Sequence, residues 1–325
     1  MESCQPLVTV CVITYNSSKF VTETLDSIYQ QTYPNIELII SDDASTDNTV
    51  ELCRDWIQSH IARFQRFEIL TVPVNTGISP NCNRGLKASK GEWFKLIAGD
   101  DMLVVTAIED YVEFCKKDDN ISAVISDCCT FVKTRNGEVR QSYLKTPHPI
   151  LSFNKYSSAK WQYWVSSRTL LGYGACTFIQ TQTLISIGGY DERFPMQEDH
   201  VIFIKIAKSG RKWYYMPKAE VLYRINETSV THTKEVSSFY SPSSIRILTQ
   251  YQPQYIKENV GVIWCVLYSI SLFLTKKVIN SGNNREIWKS CVWHFIQKSF
   301  DPIWWERRIV IGIENVLSRL PIRWF

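Results

Sequence analysis

Three pairs of adjacent acids carry most of the chemistry that can be read from this chain: Asp42-Asp43, Asp100-Asp101 and Glu198-Asp199. The first pair follows the apolar run Ile36 to Ile40, and the second comes just after Trp93 to Ile97. Adjacent carboxylates at the ends of buried strands fit a hard divalent cation that bridges phosphate oxygens. Mg2+ and Mn2+ take oxygen ligands, and in phosphate sites they commonly keep only one or two protein carboxylates. Strand-end acids can also cap the helices that follow. Glu198-Asp199, at the start of a helical pattern, can equally serve the helix dipole.

The elements that would position these acids follow from periodicity. Leu7 to Ile13 is a short β-branched apolar run of the kind buried on both faces of a sheet, and it ends in the polar turn Thr14-Tyr15-Asn16-Ser17-Ser18. Phe20, Leu25, Ile28 and Tyr29 then share roughly one helical face. Ile36 to Ile40 is a second strand, Thr49 to Ile61 a helix, Phe67 to Val72 a third strand, Ser79 to Ser89 a helix and Trp93 to Ile97 a fourth strand. This alternation predicts a mostly parallel sheet with right-handed crossovers and flanking helices. Ligands of such sheets bind outside the carboxyl ends of the strands, where all of these polar loops belong.

Further along, a helix is expected near Thr106 to Lys117, a strand at Ser122 to Ser126 and a hairpin over Lys133 to Arg140 turning at Asn136-Gly137. A strand near Ala175 to Gln180, a short helix ending at Gly188-Gly189, a helix from Glu198 to Lys208 and two short strands, Trp213 to Met216 and Val221 to Tyr223, complete the α/β part. The remainder reads as a helical appendage, dividing the chain into residues 1–235 and 236–325.

Bulk composition limits the alternatives. Hydrophobic residues at 45% and charged residues at 21% describe a globular chain and exclude general disorder. The net charge of +4 is too small to imply nucleic acid. From Lys257 onward ten Lys or Arg face five Asp or Glu, so the basic surplus lies in the last fifth of the chain, together with six of the eleven Trp. The ten cysteines are scattered, with no zinc-like pairing, which fits buried free thiols. The first residues, MESCQPLVTV, lack a basic segment leading into an apolar one, so cytoplasmic residence is expected. Gly261 to Leu274 is uncharged for fourteen residues, shorter than the roughly 20 a membrane span needs. The final stretch, WHFIQKSFDPIWWERRIVIGIENVLSRLPIRWF, mixes Trp, Leu and Ile with Arg and Lys at near-helical spacing. Such helices lie on anionic membranes, as peripheral contacts, or cover another protein surface, including a dimer partner's.

The ordered segments PLVTVCVITYN, IELIISDDASTDNT, NTGISPNCNRGLKASKG, LIAGDD and GGYDERFPMQEDHVIFIKIAKSG together resemble glycosyltransferase family 2, with the GT-A fold, over about residues 6 to 225. The resemblance implies that Thr14, Tyr15, Asn16 and Asp43 hold the base and ribose of a nucleotide. It places Asn75 and Asn83 along the nucleoside pocket, gives Asp100 and Asp101 to a Mn2+ or Mg2+ ion on the donor diphosphate, and makes Asp199 the general base, with Glu198 contacting the acceptor or orienting Asp199. One departure is that Ala98 stands where many members carry the first acid of an Asp-x-Asp motif, so metal contact rests on Asp100, with Asp101 in support. His232 and Arg224 are further candidates for metal or diphosphate contact, and Trp161 and Trp164 either stack on an acceptor sugar or belong to the core.

The expected activity is inverting, metal-dependent transfer of one sugar from a nucleoside diphosphate donor, a UDP-sugar by family habit, to a hydroxyl of a lipid-linked saccharide in surface polysaccharide synthesis. The processive signature QxxRW does not occur. A non-catalytic nucleotide-sugar or carbohydrate-binding protein would need no paired Asp100 and Asp199. A sugar nucleotidyltransferase would show a basic Gly-rich phosphate loop, where this chain has TYNSSKF.

Overall fold

A computed structural model describes residues 5–133, 139–144, 158–167, 170–194 and 197–225. The chain divides into two units, Met1–Gln252 and Pro253–Phe325, and every described residue lies in the first. The expected 235/236 boundary, His232 and the helical appendage fall outside the described residues.

Four strands, β1 (Val8–Thr14), β2 (Ile36–Asp42), β3 (Arg66–Thr71) and β4 (Trp93–Ala98), form one half of the sheet. All are parallel, in the order β3-β2-β1-β4. β2 is buried along its whole length and β1 nearly so, as a strand covered on both faces requires. Each fully buried Val, Ile or Leu side chain contributes roughly 1.5–3 kcal/mol. Register fixes the site edge: Thr14 pairs with Asp42, Asp42 with Thr71, and Ile13 with Ala98, so the strands end in one row. Helices α1 (Val21–Tyr29), α2 (Thr49–His60) and α3 (Ile78–Ala88) return the chain between them.

The other half departs from parallel. β5 (Met102–Leu103), helix α4 (Ala107–Cys115) and β6 (Ala123–Lys133) come next. β7 (Val139–Leu144) pairs antiparallel with β6, Lys133 facing Val139, as the expected hairpin requires; its turn at Asn136-Gly137 lies outside the described residues. β8 (Thr177–Gln180) runs antiparallel to both β4 and β6. β9 (Tyr214–Arg224) is parallel to β6 and antiparallel to β5. The full path is β3-β2-β1-β4-β8-β6-β9-β5, with β7 on β6. Alternation over the first hundred residues thus reported the parallel half only.

The two short strands expected at 213–216 and 221–223 are one strand. Its register against β6 shifts between Ser126 and Cys128, opposite the exposed Pro217 and Lys218. A proline cannot donate to the ladder, so the strand bulges there and resumes. Helices α5 (Ala159–Ser166), α6 (Thr181–Ser186) and α7 (Glu198–Lys208) complete the described part. Phe178 stacks between Trp93 and Tyr111, with centroids 5.0 and 4.8 Å away, beneath the join of the two halves. The seven described cysteines are free, six of them buried, as the scattered spacing implied. No helix among the described residues is long and apolar enough to cross a membrane.

Candidate active site

The loops leaving the carboxyl edge of β1–β4 are tied to one another. Thr14 Oγ1 donates to Asp42 Oδ2 at 2.7 Å, and the Asp43 amide donates to the Thr14 carbonyl at 3.0 Å. Asn16 adopts a left-handed φ of 51°, a conformation that Asn tolerates. Its amide donates to Ser45 Oγ at 2.8 Å, and its Oδ1 accepts from the Thr46 amide at 2.8 Å. Asn16 therefore stitches the first loop to the second. Tyr15, between these anchors, is half exposed. Ala44 is also left-handed, at φ 64°. A non-glycine residue held there stores about 1–2 kcal/mol of strain next to the site.

Asp42 and Asp43 differ in their tasks. The Asp42 carboxylate is spent on Thr14 and on Ser45, whose amide and hydroxyl both donate to it. Asp43 accepts from the Thr76 amide and hydroxyl at 2.9 and 2.6 Å, from the Gly77 amide at 2.7 Å and from Arg84 Nη2 at 3.0 Å. Burial opposes its charge, yet the hydrogen bonds from Thr76, Arg84 and Gly77 hold its pKa below the usual carboxylate value. Asn75 joins this loop by accepting from the Gly77 amide at 3.0 Å. Arg84, which sequence reading passed over, also reaches Ser41, Asn81 and the Asp42 carbonyl, making it the hub of the second and third loops. Its only sequence signal is a position three residues after Asn81 on the same helix face.

Asn83 is held by the loop that follows Gly189. Its Nδ2 donates to the Tyr190 carbonyl and to Glu192, both at 2.8 Å, and its Oδ1 accepts from the Tyr190 amide. These three bonds clip α3 to the 190–192 loop.

Asp100 and Asp101 form the turn between β4 and β5. A Cβ at Gly99 would meet Thr14 Cγ2 at 2.9 Å and Ser17 Oγ at 3.1 Å, so this turn lies hard against the first loop. Asp101 is buried and accepts from the Arg224 amide at 2.9 Å, while its carbonyl accepts from Thr24 Oγ1 at 2.7 Å. Burial and the neighbouring Asp100 charge push the Asp101 pKa well up. Asp100, by contrast, is partly exposed at the edge. Among the described residues no three His, Cys, Asp or Glu gather as a closed metal cage. The donor set fits a cation that one or two carboxylates share with substrate phosphates. Arg224 does not extend towards such phosphates. It is 2% exposed, and Glu23 and the Asp100 carbonyl occupy its guanidinium.

Glu198 and Asp199 arrive at the same edge from the other half of the sheet. β8 is antiparallel to β4, so the turn Gly174–Cys176 that precedes it lies beside the carboxyl end of β4. Lys95, buried in β4, donates to the carbonyls of Ala175 and Thr177 and fastens that turn. The Gly174 amide in turn donates to Asp199, and a Cβ on Gly174 would lie 3.0 Å from Asp199 Cβ. Both acids occupy the first turn of α7. The helix N-terminus favours their charge, but only by about 0.3–1 kcal/mol, and burial outweighs it. Desolvation, then the adjacent Asp199, pushes Glu198 up to about 8; desolvation pushes Asp199 up to about 6, against the amides of His200 and Gly174. Around neutral pH the two carboxyls therefore titrate as a pair, both pushed towards their protonated forms. Glu198 Oε2 is buried without a hydrogen-bond partner. Trp161 packs against the core with its indole N–H buried and unpartnered; the Trp164 side chain lies outside the described set.

A family model described as Glycosyl transferase family 2 matches residues 9–173, half of the chain. An uncharacterized glycosyltransferase of Haemophilus influenzae is 27% identical over 282 residues, spanning 84% of this chain and 80% of that protein. Among solved structures, S. aureus TarS 1–349 in complex with UDP-GlcNAc superposes with a TM-score of 0.56 at 18% identity, over 77% of this chain and 73% of that one. The mannosyltransferase PcManGT from Pyrobaculum calidifontis, in complex with GDP-Man and Mn2+, gives 0.54 at 17% identity over 98% and 89%. These two carry the fold alone, and with it the mixed sheet and flanking helices described above. With its N-terminal half under the family model and its acids gathered on one sheet edge, the chain belongs to glycosyl transferase family 2 and is a glycosyltransferase of GT-A fold.

Proposed function

We propose that the enzyme transfers a single sugar, with inversion, from a nucleoside diphosphate sugar to a hydroxyl of a saccharide acceptor. The supporting observation is the partly buried Glu198-Asp199 pair, set by Gly174 beside the edge that carries Asp100. Asp199, in its ionised form, takes the proton of the acceptor hydroxyl as that oxygen attacks the anomeric carbon. Glu198, beside it in the first turn of α7 and also pushed towards its protonated form, contacts the acceptor or orients Asp199. One base and one displacement invert the anomeric centre. Thr14, Tyr15, Asn16, Asp43 and Asn75 line the nucleoside end, with Arg84 fixing Asp43. Asp100, supported by Asp101, would hold Mn2+ or Mg2+, which would neutralise charge on the departing diphosphate. UDP is the nucleotide expected by resemblance; GDP-Man in PcManGT is the competing precedent.

The acceptor reading is a lipid-linked saccharide of a surface polysaccharide, reached from the cytoplasmic face. It rests on the family resemblance and on the basic, Trp-rich stretch after Lys257. The catalytic part is tested by the pH dependence of kcat/KM. The expected profile is flat through neutrality and falls about tenfold per pH unit below about 6, as Asp199 takes up a proton. A profile still flat at pH 5 would rule out Asp199 as the base.

A further inference from the structure

The Asp100-Asp101 turn is short and carries no glycine beyond Gly99, so something outside it must fix where the Asp100 carboxylate points. The best-placed group is Arg224, the last residue of β9, which reaches the turn from another strand. Its Nε donates to the Asp100 carbonyl at 2.7 Å, and its own amide donates to Asp101 Oδ1 at 2.9 Å. Its Nη2 donates to Glu23 Oε2 at 2.7 Å. The guanidinium carbon sits 4.4 Å from the Phe20 ring centroid and 4.5 Å from that of Phe131. A planar guanidinium gains from such stacking and can satisfy two acceptors at fixed angles, which an ammonium cannot do. The clamp also draws in the first turn of α1, since Phe20 and Glu23 flank Val21 and Thr24 bonds the Asp101 carbonyl.

We propose that Arg224 is a positioning residue that locks the Asp100-Asp101 turn in its cation-binding shape through Glu23 and the Phe20 and Phe131 rings, without touching the donor itself. This rests on the reading that Asp100 holds a divalent cation on the donor diphosphate. It makes Glu23, Phe20 and Phe131, three residues outside the sequence segments quoted above, part of the machinery for that cation.

Titration calorimetry with UDP and GDP, each with and without Mn2+, tests it on the wild type, Arg224→Lys, Glu23→Gln and Asp100→Asn, with thermal melts to confirm folding. The clamp predicts that Arg224→Lys weakens Mn2+-dependent nucleotide binding by about tenfold or more. Glu23→Gln, at a carboxylate 37% exposed, weakens it about threefold, and metal-free nucleotide affinity stays unchanged in both. A folded Arg224→Lys with wild-type Mn2+ dependence overturns the clamp; if that variant does not fold, an unchanged Glu23→Gln overturns it. Equal losses with and without Mn2+ would instead make Arg224 a direct diphosphate contact. A wild type whose nucleotide affinity ignores Mn2+, with Asp100→Asn unchanged, would remove the metal reading and the clamp with it.

Discussion

At the scale of the residue, Glu198 and Asp199 are held in conflict with their surroundings. Each carboxyl is partly buried, and each has a pKa above its unfolded value, so the folded protein binds their protons more tightly than the unfolded chain does. The sign follows from linkage: stability falls as pH rises from about 4, the unfolded value, through the folded pKa. Keeping Asp199 ionised at neutral pH therefore costs about 1–3 kcal/mol. Asp199→Asn should melt several degrees above the wild type at pH 7.5, with the difference closing near pH 4, while transfer activity is lost. A variant that melts below the wild type at pH 7.5 would show that Asp199 is a structural acid. These two acids were legible as a pair in the sequence. Their raised affinity for protons was not, because it depends on desolvation in the fold, set against the Gly174 amide from a segment 25 positions away. Asn83 shows a role that its motif position did not carry: it bonds Tyr190 and Glu192 and ties α3 to the loop after Gly189.

Elements explain how acids far apart in sequence share one edge. The strand ends of β1, β2, β3 and β4 could be read from apolar runs bounded by polar turns, and their register places Thr14, Asp42 and Ala98 together. The antiparallel β8 was visible as a strand but not as β4's neighbour, since strand order is not encoded in periodicity. Yet that pairing, fastened by Lys95, brings Gly174 to Asp199. A Cβ at 174 would sit 3.0 Å from Asp199 Cβ, so the base would have to give way. Gly174→Ala should lower kcat about threefold or more, since a misplaced base loses its near-attack geometry, while nucleotide affinity stays within twofold. Loss of nucleotide binding in that variant would mean the turn supports the donor loops instead. β9 likewise escaped periodicity because Pro217 breaks its pattern, and with it the route by which Arg224 reaches Asp100 went unseen.

For the whole molecule, the charge distribution separates a nearly neutral catalytic part from a basic, Trp-rich end. If that end docks on anionic lipid, the full chain should co-sediment with vesicles containing phosphatidylglycerol and be released as salt rises, since surface electrostatics are screened within about 8–10 Å. Equal indifference to anionic and neutral vesicles would refute the membrane reading and favour a protein contact. The most direct test of the enzyme itself is release of nucleoside diphosphate from a panel of nucleotide sugars, with Mn2+ or Mg2+ and lipid diphosphate-saccharide acceptors. Wild type, Asp100→Ala and Asp199→Ala would be compared. The expected result is release from one donor that vanishes in both variants, with Asp199→Ala still binding the nucleotide. Full release in Asp199→Ala, or no donor bound or turned over by the wild type, would contradict the assignment of transfer chemistry to this sheet edge.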